Sequence, residues 1–161
     1  MNQEVIDRAY TVFHYDKIKI PPMTLRAGDA VDSYDLTPPY DEQLDQVNDD
    51  YIQKYAYFAL PHLDSLSWRY YLPFLIDYSL RHATAEADPE SSLAVDGTLF
   101  SLRPPDREPP RLSVLTAEQE SVIVQFLDLL AFDERSVYQD DAMEVIEEYW
   151  MLLASYRDFQ I

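Results

Sequence analysis

The chain contains no cysteine and only two glycines, and its 12 Lys+Arg are outnumbered by 30 Asp+Glu. Without cysteine there is no disulfide framework, no thiolate zinc site and no thiol nucleophile. Gly28 and Gly97 cannot build a glycine-rich phosphate cradle, and neither sits in GxGxxG, GxxxxGK[ST] or GxSxG. Nucleotide sites of those types and the hydrolase nucleophile elbow are therefore excluded. The shortage of Lys and Arg counts against direct nucleic-acid binding, which needs cations on phosphates. No uninterrupted apolar run is long enough to cross a bilayer, and an acidic surface is repelled by anionic lipid. Met1–Glu4 carry neither a basic segment nor an apolar one, so no secretory signal is read there. These absences predict a soluble, cytoplasmic protein.

What is present is apolar enough to fold. Hydrophobic residues make up 47% and aromatics 14% of the chain, far above the level of a disordered acidic tail. A length of 161 residues suits one domain with a continuous core, spanning 1–161. The formal net charge of -18 must then lie on a folded surface. Self-repulsion at that charge opposes the compact state, so added salt should stabilise it.

The periodicity predicts a mostly α fold, an irregular bundle of four to five helices with a long Pro-rich surface loop. Val5, Ile6, Ala9 and Val12/Phe13 recur at spacings of three and four, with Asn2 as N-cap. Residues 17–40 break regularity through Pro21-Pro22, Gly28 and Pro38-Pro39. From Asp41, the positions Leu44, Val47, Tyr51, Tyr55 and Phe58 return to helical spacing and stop before Pro61. Ser65–His82 is apolar on almost every face and reads as the buried central helix, capped by Asp64 or Ser65 and closed by an Asp77–Arg81 pair. Pro73 predicts a kink or split near Leu72. Residues 84–111 read as an irregular loop, with Thr98–Leu102 a short strand or a single turn. Thr116-Ala117-Glu118-Gln119 is a capping box, followed by the stripe Ile123, Phe126, Leu127, Leu130. A last helix, about Asp140–Tyr156, buries Ala142, Val145, Ile146, Tyr149 and Leu153 and turns Asp141, Glu144 and Glu148 outward.

No catalytic set, cofactor or metal site emerges. His14, His62 and His82 lie far apart, without HExxH or a glutamate three residues before any of them. Each reads as a residue satisfied by a local hydrogen bond or by water. Carboxylates crowd two regions. Asp133, Glu134, Asp140, Asp141, Glu144, Glu147 and Glu148 lie where Arg135 is the only basic residue between Thr116 and Trp150, and Asp45, Asp49 and Asp50 belong to a second patch. Acid/base catalysis needs two carboxylates in opposed environments across a cleft, whereas helical runs give solvated carboxylates in similar ones. The charged faces serve solubility, or they steer the chain to a cationic partner. Their asymmetry favours steering. Among the crowded aromatics, Trp68, Tyr71 and Leu72 are assigned to the core, and Arg69 is read as an internal clamp on carbonyls or a carboxylate.

Two segments carry a family resemblance. Arg69, Tyr70, Tyr71, Leu72 and Pro73 in Ala59–Leu80, with Leu115, Thr116, Gln119, Ile123, Phe126 and Leu127 in Leu112–Phe132, form a paired pattern. This resembles an uncharacterised family of bacterial proteins that pairs an R-[FY]-Y-L-P helix with a later L-T-x-x-Q helix. The resemblance covers about half the chain and implies a bacterial origin and a helical core, with no assigned activity.

The expectation is therefore a non-catalytic binding protein that neutralises a basic protein partner. An immunity protein that inhibits a cognate toxin, such as a nuclease, fits best. The partner-binding candidates are the ten acids just named, from Asp45 to Glu148. A DNA mimic with acids at phosphate-like spacing is the first alternative. A scaffold or subunit protein is the second, and it requires an exposed aromatic patch.

Overall fold

The computed structural model describes residues 2–14 and 17–153. Seven α-helices occur among them: α1 (Asn2–Val12), α2 (Leu25–Asp32), α3 (Asp49–Ala59), α4 (Ser65–Arg81), α5 (Ser92–Ser101), α6 (Ala117–Phe132) and α7 (Gln139–Glu148). The only β pairing among the described residues is an isolated antiparallel bridge between Thr84 and Ser136.

The apolar spacing explains the middle of the molecule. Trp68, Leu72, Leu75, Ile76 and Tyr78 are fully buried on α4, which packs on α1, α5 and α6. Asp64 caps it, accepting from the Ser67 amide at 2.9 Å, and Arg81 Nε donates to Asp77 at 2.8 Å. The helix runs unbroken through Pro73 from Ser65 to Arg81, so the expected split is absent. Proline costs a helix interior about 3 kcal/mol. Burying Leu72 on one side of it and Leu75 and Ile76 on the other, at about 1.5–3 kcal/mol per side chain, outweighs that cost. The capping box on α6 is complete: Thr116 Oγ1 accepts from the Gln119 amide at 3.1 Å, and Gln119 Oε1 accepts from the Thr116 amide at 3.0 Å.

Two segments expected to be irregular each contain a helix. Within 17–40, α2 starts at Thr24, whose Oγ1 accepts from the Ala27 amide at 3.0 Å. Within 84–111, α5 buries Ala94, Val95, Thr98 and Leu99, and the strand-or-turn reading of Thr98–Leu102 gives way to its last turn. Gly28 had suggested loop punctuation, yet both it and Gly97 lie inside these helices. Each sits where a helix crosses the C-terminal half of α3. A Cβ on Gly28 would meet Ala59 Cβ at 2.9 Å and Ala59 O at 3.0 Å; one on Gly97 would meet Tyr57 Cα at 3.1 Å. The chain's two glycines thus serve close helix approach on both sides of one helix.

Two helix boundaries also differ from expectation. The helix placed at Asp41 begins at Asp49, where Asn48 Oδ1 accepts from the Tyr51 amide at 2.9 Å. Leu44, counted in its stripe, is 59% exposed. The last helix ends at Glu148 and is followed by a 3₁₀ turn, Trp150–Leu152. The stretch of that expected helix beyond Leu153 lies outside the described residues. Trp150 is fully buried and its Nε1 donates to Leu102 O at 2.9 Å, tying the chain after α7 to the end of α5.

Candidate functional site

Because α3 and α7 both pack against α5, the outward side of α5 lies between them. Along that side run Leu93, Asp96, Phe100 and Arg103, a helical stripe whose apolar members are poorly covered: Phe100 is 60% exposed and Leu93 48%. The opposite side of the helix carries the buried residues, which explains why Leu93, Asp96 and Phe100 face outward, and Arg103 continues the stripe just past the helix end.

Toward α3, the stripe borders a groove of about 310 Å³. Its walls include Tyr57, Phe58, Leu93 and Phe100, with Asp32 and Asp96 along the same lining and Arg107 and Arg111 from the Pro-rich loop. Asp106 shapes that loop. Its Oδ1 accepts from the amides of Arg107, Arg111 and Leu112, and its Oδ2 from that of Ser113, at 2.7–2.9 Å. Partial burial opposes the Asp106 charge, but the amides of Leu112, Ser113 and Arg111 prevail and hold its carboxyl well below the usual range. The loop so fixed inserts Arg111, only 3% exposed, beneath the groove. Arg111 Nη1 donates to Leu60 O at 2.8 Å and Leu63 O at 3.3 Å, and its guanidinium lies 5.0 Å from the Trp68 ring centre. Its Nε is buried without a hydrogen-bond partner among the described residues. Burial, and then the like charge of Arg107, lower its pKa to about 10. The clamp on carbonyls is therefore Arg111, while Arg69 donates to Ser65 Oγ at 3.1 Å.

Toward α7, Phe100, Asp96 and Arg103 border a second hollow, about 330 Å³, with Asp141 and Glu144 on its far side. Desolvation against the helix surface and the neighbouring Asp141 raise the Asp96 carboxyl.

The acidic residues singled out by the sequence divide into two sets. Asp45 is buried, which removes it from any contact surface. It accepts from Arg26 Nη2 at 2.8 Å, from the Tyr51 hydroxyl at 2.9 Å and from the Asp41 amide at 2.8 Å. Burial works against its charge, yet these donors lower its pKa. Asp49 accepts from both Arg81 terminal nitrogens at 2.8 Å, which lowers it as well. Asp133 chelates Arg135 and falls to about 2 for that reason. Glu144 and Glu148 share Arg103, which lowers Glu148. Asp50, Glu134, Asp140, Asp141 and Glu147 remain exposed, with no ion pair among the described residues. The expected acidic field is thus interrupted by arginines that are distant in sequence, such as Arg103 against α7. His62 and His82 bond Asp32 and Asp49 at 3.0 and 3.3 Å, and the described residues hold no group of three metal-ligating side chains.

Comparison with known proteins adds one finding. The sequence matches a family described as "Family of unknown function (DUF6714)" over residues 1–153. The chain belongs to that family. The match takes in all seven helices, well beyond the two motif segments. No curated protein and no solved structure matches. No helix among the described residues is long and apolar enough to cross a membrane.

The α5 stripe and Arg111 escaped sequence reasoning for a common cause. Ala94, Val95, Thr98, Leu99 and Leu102 do follow helical spacing. Gly97 obscured the pattern, and Ser91 at the helix start makes no side-chain capping bond. For Arg111, the available signal was an arginine closing a proline-dense run five residues after an aspartate.

Proposed function

We propose that the protein is a non-catalytic binding protein that neutralises a basic protein partner through the α5–α7 surface, with a secreted toxin as the partner class. The observation carrying this reading is Phe100, an exposed aromatic set beside Asp96, Asp141 and Glu144. An aromatic anchor with carboxylates on its α7 side suits a partner that offers lysine or arginine beside an apolar spot. Desolvation and then the nearby Asp141 raise the Asp96 carboxyl, so a cation brought to this hollow would favour its charged form. Asp140 and Glu147, exposed on α7, extend the negative surface. The exposed aromatics also suit the scaffold reading. The DNA-mimic reading draws less support, because Arg103 and Arg135 sit among the acids it would need.

The test is direct binding to a cationic toxin encoded beside this chain's gene, measured by surface plasmon resonance, with toxin activity as second readout. Phe100→Ala should weaken binding by about tenfold or more, as expected for a hot-spot aromatic. Asp141→Asn should lower the association rate and its salt dependence. An affinity insensitive to both substitutions would reject the surface, and toxin activity unaffected by a saturating excess of this protein would reject inhibition.

A further inference from the structure

We propose that the groove between α3, α5 and the Pro-rich loop is a binding site for a carboxylate carried on an apolar, ring-sized body. The site adjoins the basic-partner surface and shares Phe100 and Asp96 with it, but it rests on the arginine end of the groove rather than on the acids facing α7.

The argument starts with Arg111. It is a cation almost wholly removed from water, yet no carboxylate among the described residues bonds its guanidinium. The nearby Asp106 is committed to four loop amides. Buried cations are ordinarily paired, and their donors ordinarily satisfied, so an unpartnered Nε on such a group calls for an explanation. Arg107 lines the same cavity, placing two cations at one end of a groove in a chain with 12 Lys+Arg. A planar guanidinium in a poorly solvated wall is suited to a carboxylate by geometry and by charge.

The rest of the lining sets the other half of the ligand. Tyr57, Phe58, Leu93 and Phe100 form apolar walls that the fold leaves 41–60% exposed. A volume of about 310 Å³ lies at the small end of ligand pockets, enough for one ring with a short chain. Two acids share the lining. Asp32 is bonded to His62, between the Leu60 and Leu63 whose carbonyls Arg111 holds, so an incoming carboxylate meets one acid against two arginines there. Asp96 lies one helical turn before Phe100, roughly 6 Å away along α5 and farther from the loop. Cations therefore outnumber acids at the loop end of the groove. A free aromatic carboxylate and the C-terminal residue of a chain ending in phenylalanine present the same chemistry.

The experiment is an NMR amide-shift titration of the full chain with 3-phenylpropanoate, in parallel with 3-phenylpropanamide and 3-phenylpropylamine. A hexapeptide ending in phenylalanine, with free or amidated terminus, forms a second arm. The carboxylate should bind with a Kd on the order of 1 mM or tighter, shifting the amides of Tyr57, Phe58, Phe100 and Arg111. The neutral amide should bind about tenfold more weakly. Arg107→Gln, at an exposed position, should weaken the carboxylate about three- to tenfold and leave the amide unchanged. Arg111→Gln carries the larger effect if the variant folds; Arg107→Gln and the ligand series keep the test decisive if it does not. Tighter binding by the free-terminus peptide than by 3-phenylpropanoate assigns a chain terminus, and the reverse order assigns a small molecule. Equal affinity for carboxylate and amide, preference for the amine, or no shift in the groove at about 10 mM ligand would overturn the proposal.

Discussion

Asp106 shows how much one side chain can organise in a loop without regular structure. Its carboxylate gathers four amides from a stretch that proline leaves poor in donors, and so sets the path that delivers Arg111 to the core. Asp106→Ala strands those amides and should cost about 2 kcal/mol in urea unfolding. The pH dependence has a definite sign. A carboxyl depressed in the fold contributes its full stabilisation above the unfolded value, about 3.9, and loses it as the pH falls toward the folded value. The stability gap between the native protein and Asp106→Asn should hold from neutral pH down to about 4 and shrink below it. Asp96 behaves in the opposite sense. Its carboxyl is raised, so its charge opposes folding above the folded value, and the penalty disappears as the pH falls through that value. Asp96→Asn should therefore raise Tm at neutral pH while weakening partner binding. A lower Tm would mean that the carboxylate serves the fold instead.

At the scale of elements, the molecule depends on how closely helices approach α3. Alanine is a better helix former than glycine by about 1 kcal/mol, so helix propensity alone makes Gly28→Ala and Gly97→Ala stabilising. The crowding reverses the sign. At Gly28 the new methyl would lie 3.0 Å from the Ala59 carbonyl oxygen, and at Gly97 3.1 Å from the Tyr57 Cα; backbone atoms cannot rotate away. Overpacking of this kind costs about 1–3 kcal/mol, so both variants should be net destabilised, Gly28→Ala more so. Matched urea titrations with unchanged slope check the order. The same two positions mark the limit of what was legible. Where apolar spacing and caps agree, as in Ser65–Arg81 and Thr116–Phe132, the helices stand where periodicity places them. α2 and α5 were hidden because a glycine selected for inter-helix contact looks, in one dimension, like a glycine selected for a turn. The character of the α5–α7 surface was hidden for a related reason: charge clusters can be read along a chain, but Arg103 pairing with Glu144 and Glu148 is made only by the packing of α5 on α7.

The whole molecule carries a net charge of -18, and internal pairing redistributes that charge without reducing it. Arg26, Arg81, Arg103 and Arg135 each hold a carboxylate, which leaves the excess on groups such as Asp50, Asp140, Asp141 and Glu147. Repulsion among exposed like charges acts over a Debye length, about 30 Å at 0.01 M salt and 8 Å at 0.15 M. The compact state, which brings these charges together, gains more from screening than the expanded chain does. Surface ion pairs such as Arg135–Asp133 lose strength over the same range, but exposed pairs of this kind contribute little to stability. Raising NaCl from about 20 to 300 mM should therefore increase Tm. The same change should slow association with a basic partner, because steering depends on the unscreened field. Opposite responses, a more stable protein that binds more slowly, would distinguish a surface charged for recognition from one charged for solubility alone. Thermal melts and stopped-flow association across one salt series measure both. An association rate that stays constant while Tm rises would assign the acidity to solubility and leave Phe100 as the main determinant of binding.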